Sequence, residues 1–189
     1  MPLEAPRQTL QELGFTIVED RPEGLVAIAR RFHWDCMLTK VTYVVFVREV
    51  DTLDVPTIEH DREALALRAQ TLDPSLLPRG LQKGTAVLTA YLARHVTPEA
   101  RALCEAGPKV RFAFFYIPAV LDSATGLAHF LRTTPMWGAI YFSKFRVVLG
   151  RLLEPARTPG TAWPISAFGL SILAFYVLAL LAFVAVRIR

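Results

Sequence analysis

The side chains that could do chemistry are few, and their spacing argues against most of it. His33, His60, His95 and His129 lie far apart in the chain, with no pair at metal-ligand spacing. The run RFHWDCML brings His33, Asp35 and Cys36 within four positions. A metal or nucleophile site there needs further partners that the sequence does not offer, so the run reads as a connection between strands. Glu59, His60, Asp61 and Glu63 crowd the start of a helix, where acids stabilise the positive end of the dipole without any catalytic role. Gly80–Gly84, GLQKG, lacks both the spacing of a phosphate loop and the hydroxyl that follows its Lys. There is no nucleophile elbow, dinucleotide fingerprint or zinc motif. No catalytic, cofactor-binding or metal-binding residue is therefore assigned, and no cofactor is expected. One segment, TTPMWG, sets Met136 and Trp137 beside Pro and Gly in a loop. Such side chains are favoured at contact surfaces, which makes these two the candidate partner contacts; the alternative is that they cover one end of the core.

The strongest signal lies at the C-terminal end. Trp163–Val186 is 24 residues long and has no Asp, Glu, Lys, Arg or His. As a helix it would reach about 36 Å, enough to cross a hydrocarbon core of roughly 30 Å with some tilt. Trp163 suits the headgroup level at one end, and Arg187 and Arg189 suit the other. These three are the expected membrane-interface residues, and 187–189 is a short tail. Lys144, Arg146, Arg151 and Arg157 precede the segment, which mildly favours a cytoplasmic N-terminal side. The opening residues MPLEAPRQTLQELGF have no export-signal pattern. A single-pass, tail-anchored protein with its N-terminal domain in the cytoplasm is the expectation. Nineteen of the 21 basic residues and all 17 acids precede the segment, so that domain is near +2. Such a balance argues against nucleic acid as a partner. Cys36 and Cys104 read as packing thiols.

Positioning these features requires an α/β domain over residues 1–153, joined to the anchor by a linker at 154–162, EPARTPGTA, with two Pro and one Gly. The spacing predicts a helix over Leu3–Leu13 ended by Gly14, then a hairpin of Phe15–Glu19 and Leu25–Arg31. A β-branched and aromatic strand follows at Leu38–Val50. A helix at Ile58–Gln70 turns Ile58, Ala64, Leu65 and Leu67 to the core. Thr85–Ala93 is a strand, and Thr97 caps a helix begun by Pro98. Val110–Leu121 is a strand whose Pro118 implies an edge or a bulge. Ala128–Leu131 is a possible short strand. Trp137–Leu153 is an amphipathic helix with Lys144, Arg146 and Arg151 off its apolar face, packed on the sheet or lying on headgroups. The expected fold is a mixed sheet of about five strands flanked by helices, followed by one transmembrane helix.

The order helix, three strands, helix, strand resembles the core of the restriction-endonuclease-like fold, the PD-(D/E)XK superfamily. TLQELGFTIVED (residues 9–20) is similar to its entry helix and first strand, and VTPEARALCEAGP (96–108) to the helix after its fourth strand. The resemblance covers roughly residues 3–120. It implies metal ligands, an acid on the second strand and Glu-x-Lys or Gln-x-Lys on the third. Here those strands read Leu25-Val26-Ala27-Ile28-Ala29 and Val41-Thr42-Tyr43-Val44-Val45-Phe46-Val47, with neither. The resemblance thus implies a nuclease fold that has lost its site. Three functions stay open: a membrane-tethered, non-enzymatic adaptor or scaffold that binds a protein; a tethered nuclease relative that binds or cleaves nucleic acid; and a peripheral lipid-handling enzyme.

Overall fold

Ten elements follow one another: α1 (Glu4–Glu12), β1 (Thr16–Arg21), β2 (Gly24–His33), β3 (Thr39–Leu53), α2 (Val55–Leu72), β4 (Lys83–Val96), α3 (Pro98–Ala106), β5 (Phe114–Asp122), β6 (Leu127–His129) and α4 (Ala139–Leu153). The structure, a computed structural model, describes residues 3–33, 39–73, 83–106, 114–134 and 139–154. Met136, Trp137, Asp35, Cys36, Trp163, Arg187, Arg189 and the anchor 163–186 lie outside the described residues, as does the linker after Glu154. Among the described residues, no helix is long and apolar enough to cross a membrane.

Local chemistry sets most boundaries. Gly14 adopts φ +72°, a left-handed conformation that ends the α1 segment. Gly24 opens β2 where a Cβ would meet the Val47 carbonyl oxygen at 2.5 Å, so only glycine fits this approach to β3. The Asp54 carboxylate accepts from the Thr57 N–H at 2.9 Å and caps α2. The Thr97 hydroxyl accepts from the Ala100 N–H at 3.3 Å ahead of Pro98, as the sequence predicts.

The strands form one mixed sheet in chain order, β1-β2-β3-β4-β5-β6. β1–β2 and β2–β3 are antiparallel, β3–β4 and β4–β5 parallel, and β5–β6 antiparallel. The two parallel crossovers pass in the same direction across the sheet. A constant crossover hand then puts both helices, α2 and α3, on the same face. On that face Phe46, Ile58, Leu65, Val87, Ala100 and Tyr116 share a core. α1 and α4 cover the other face, where Leu10, Tyr43, Leu88, Phe115, Phe142 and Phe145 share a second core. Three layers result, with the sheet apolar on both sides.

Three expectations need correction. The sheet has six strands, not about five, because Leu127–His129 pairs with Val120–Asp122. On α2, Leu67 is 66% exposed and Ala64 is also exposed. The buried stripe is Ile58, Asp61, Leu65, Ala69, whose spacing of three and four residues follows one side of the helix. On α4, Lys144 is 2% exposed, inside the buried arc with Phe142, Phe145, Val148 and Leu149. A lysine's aliphatic stem can line such an arc. That arc packs on the sheet, which decides between the two placements of this helix. Pro118 lies within β5 on a stretch that is a sheet edge among the described residues, as the sequence predicts. β6 covers only Val120–Asp122, so along 114–119 no strand among the described residues flanks β5 on that side.

Candidate functional site

The cap at Asp54 starts α2 in a register that turns Asp61 inward, over the sheet. Arg48 on β3 and Tyr91 on β4 are register partners and both rise on the α2 face. Tyr116 on β5 stands on the same face. Asp61 is 5% exposed and forms an ion pair with the half-exposed Arg48. The Tyr91 hydroxyl donates to Asp61 Oδ2 at 3.0 Å. It also meets the Tyr116 hydroxyl at 3.3 Å. Since Tyr91 has one proton and gives it to the carboxylate, the bond between the two phenols runs from Tyr116 to Tyr91. The chain is therefore polarised: Tyr116 donates to Tyr91, which donates to an Asp61 carboxylate balanced by Arg48.

Burial, followed by Tyr116 and the Asp61 charge, pushes the Tyr91 phenol far above its usual range. Burial also raises Tyr116, and its contacts with Tyr91 and Thr89 oppose this only in part. Both phenols stay protonated near neutrality. Cys104, on the buried side of α3, is pushed up to about 12 by burial and then by the neighbouring Glu105. It is a buried thiol with no nucleophilic character, as packing predicts.

The network ends at Tyr116, which is buried but lines a cleft. There, α2 from Arg62 to Gln70 and the first residues of β5 bound a cleft of about 360 Å³. Ala66, Leu67, Phe114 and Tyr116 form its apolar and aromatic wall, and Arg62, Glu63 and Gln70 its polar rim. The volume is at the lower end for small-ligand sites.

Other titratable groups are engaged in structure. Lys83 meets Asp73 at 2.9 Å, both buried, where α2 ends and β4 begins. That accounts for the lysine of GLQKG. His33 is buried at the end of β2 with its Nε2 2.8 Å from the Tyr43 hydroxyl. His129 Nδ1 lies 2.8 Å from Glu105, which Arg132 also approaches at 3.4 Å. Asp122 is buried, which alone would raise its pKa. Bonds from the Ala124 N–H and Thr125, with Arg101 at 2.7 Å, outweigh that and hold it below its ordinary 3.8. His60 and His95 are exposed on α2 and β4. Among the described residues, no three His, Cys, Asp or Glu side chains are grouped so as to hold a metal ion. The strand positions where the PD-(D/E)XK resemblance places metal ligands, 25–29 and 41–47, are buried throughout.

No protein-family model and no curated protein matches this sequence.

The acidic group at 59–63 thus divides three ways. Glu59 pairs with Arg62 at 2.7 Å, Asp61 enters the core, and Glu63 rims the cleft. Sequence reasoning assigned all of them to the helix dipole and missed Tyr91 and Tyr116. A signal was present: Asp61 lies three residues after Ile58 and four before Leu65, on the apolar stripe.

Proposed function

We propose that this protein is a single-pass, tail-anchored membrane protein whose cytoplasmic α/β domain acts as a non-catalytic adaptor or scaffold through protein binding. The observation that carries it is the charge-free run Trp163–Val186, which begins nine residues after α4. α4 packs on the sheet, so the linker of about 30 Å at full extension starts at the body of the domain. That keeps the domain close to the bilayer. Most of the titratable groups described above, among them Asp61, Asp73, Lys83, Asp122 and His129, serve ion pairs and hydrogen bonds within the fold, which supports binding over catalysis. We further propose a degenerate PD-(D/E)XK-like ancestry for the domain. The succession α1, β1–β3, α2, β4, with β2 beside β3, supports it.

Alkaline carbonate extraction tests the anchor. The full chain is expected in the membrane pellet and a chain lacking 163–189 in the supernatant. Release of the full chain would sink the reading. Protease added outside intact cells should spare the domain; digestion would reverse the topology. The alternative, a tethered nuclease-fold protein that binds or cleaves nucleic acid, predicts DNA or RNA affinity that weakens steeply with salt. Absence of affinity at low salt removes it.

A further inference from the structure

The cleft between α2 and β5 sets an apolar and aromatic wall against a polar rim that carries Glu63 and Gln70. Arg62, its one cationic lining residue, already pairs with Glu59 at 2.7 Å. Glu63 is exposed and makes no hydrogen bond or ion pair among the described residues, and neither does Gln70. Tyr116 is 4% exposed and turns its hydroxyl inward to Tyr91, so it adds only to the wall. The rim therefore offers a carboxylate and an amide to a donor. Facing them are Leu67, 66% exposed, and the rings of Phe114 and Tyr116. Glu59 and Glu63 against Arg62 leave the locality one negative charge in excess. An anionic ligand would meet that charge. A cation on an aliphatic stem would find both halves matched. A guanidinium fits better than an ammonium, because its flat face stacks on rings and its fork spans a carboxylate and an amide carbonyl.

We propose that the cleft receives an arginine side chain of a protein partner, its stem along Leu67 and Phe114 and its guanidinium on Glu63 and Gln70. This rests on the protein-binding reading above. It adds the recognition chemistry and the place.

The test uses the isotope-labelled full chain in nanodiscs, titrated in NMR with N-acetyl-arginine methylamide and, in parallel, with its neutral citrulline counterpart. Saturable shifts are expected at Glu63, Leu67, Gln70 and Phe114. Affinity should fall about tenfold or more with citrulline and with Glu63→Gln, as for loss of a charge-assisted bond. Leu67→Asn should weaken binding further. Unchanged spectra outside the cleft keep these variants interpretable. No saturable shift, equal affinity for citrulline, or indifference to Glu63→Gln would overturn the proposal. Photo-crosslinkers placed around the domain in native membranes separate it from the adaptor reading. Adducts elsewhere but none around position 67 sink the cleft and keep the adaptor. Arginine binding with no adduct at any position sinks the protein partner.

Discussion

The two faces of the sheet are covered in the same way, by two helices each, yet they are built from different materials. Under α1 and α4 the core is mainly apolar, Lys144 and the His33–Tyr43 pair apart, with an aromatic cluster in which Phe145 lies 5.3 Å from Phe115, 5.6 Å from Phe142 and 5.8 Å from Tyr43, ring to ring. Under α2 and α3 the core contains a carboxylate and two phenols in series. The first face gains its stability from area and shape, which tolerate no loss of volume. The second gives up apolar area for directional bonds that place Tyr116 at a cleft. Both faces bury an ionisable group, Lys144 on the first and Asp61 on the second, but only the second links its buried polar atoms in a series that ends beside the cleft.

Substitutions can break or sharpen this contrast, read as denaturant or thermal unfolding of the full chain in detergent. The largest effect belongs to the first face. Phe145→Ala removes the hub of the aromatic cluster and should cost about 3–5 kcal/mol. A loss under about 1 kcal/mol would mean that α4 is not a structural cover. Asp61→Ala comes next. It leaves the Tyr91 hydroxyl buried without its acceptor, while Arg48, 40% exposed on its side chain, can turn to water. The expected loss is roughly 2–3 kcal/mol, below that for a fully buried pair. Tyr91→Phe should cost about 1–2 kcal/mol, and combined with Asp61→Ala should cost less than the two losses summed, because the bond between Tyr91 and Asp61 is lost in both while the Tyr116 bond is lost only in Tyr91→Phe. Phe145→Ala and Asp61→Ala, on opposite faces, should instead add. Strong coupling between these two would erase the distinction.

Acid provides the mildest probe. Asp122 pairs with Arg101 of α3, and its folded pKa is depressed. Its contribution is therefore complete above its ordinary value of 3.8 and is lost as pH falls through the lower folded value. Asp54, capping α2, is depressed by its bonds to Thr57 and follows the same sign. Unfolding midpoints should drop below about pH 4, and Asp122→Asn should flatten that fall. Phe145→Ala should leave its shape unchanged. A profile equally steep in Asp122→Asn would move the acid sensitivity elsewhere.

Much of this architecture was legible in the residues, and the reason is locality. The run Val41–Val47 names a buried strand by itself. Gly14, Thr97 and Pro98 mark helix ends through chemistry that spans three or four positions. What escaped was whatever depends on distant partners. Asp61 looks like a surface acid until Arg48 and Tyr91 arrive from two other strands. Lys144 reads as solvated until α4 is laid on the sheet. The cleft joins Glu63 to Phe114, fifty-one residues apart, and no periodicity links them. Leu67 reads as core because it is apolar, although its position lies off the stripe of Ile58 and Leu65.

The strands stand in the sheet in the order in which the chain presents them. During synthesis each new strand therefore finds its neighbour already made, and none has to be inserted between two others. The α2 face can close as soon as β5 is complete. The opposite face cannot. Tyr43 and Phe115 wait for residues 139–153, the last described element. A nascent chain halted before that point would carry a bare aromatic surface, the kind of surface that chaperones hold and that aggregation exploits. The ribosome must travel nearly the whole length of the domain before its drier half is sealed.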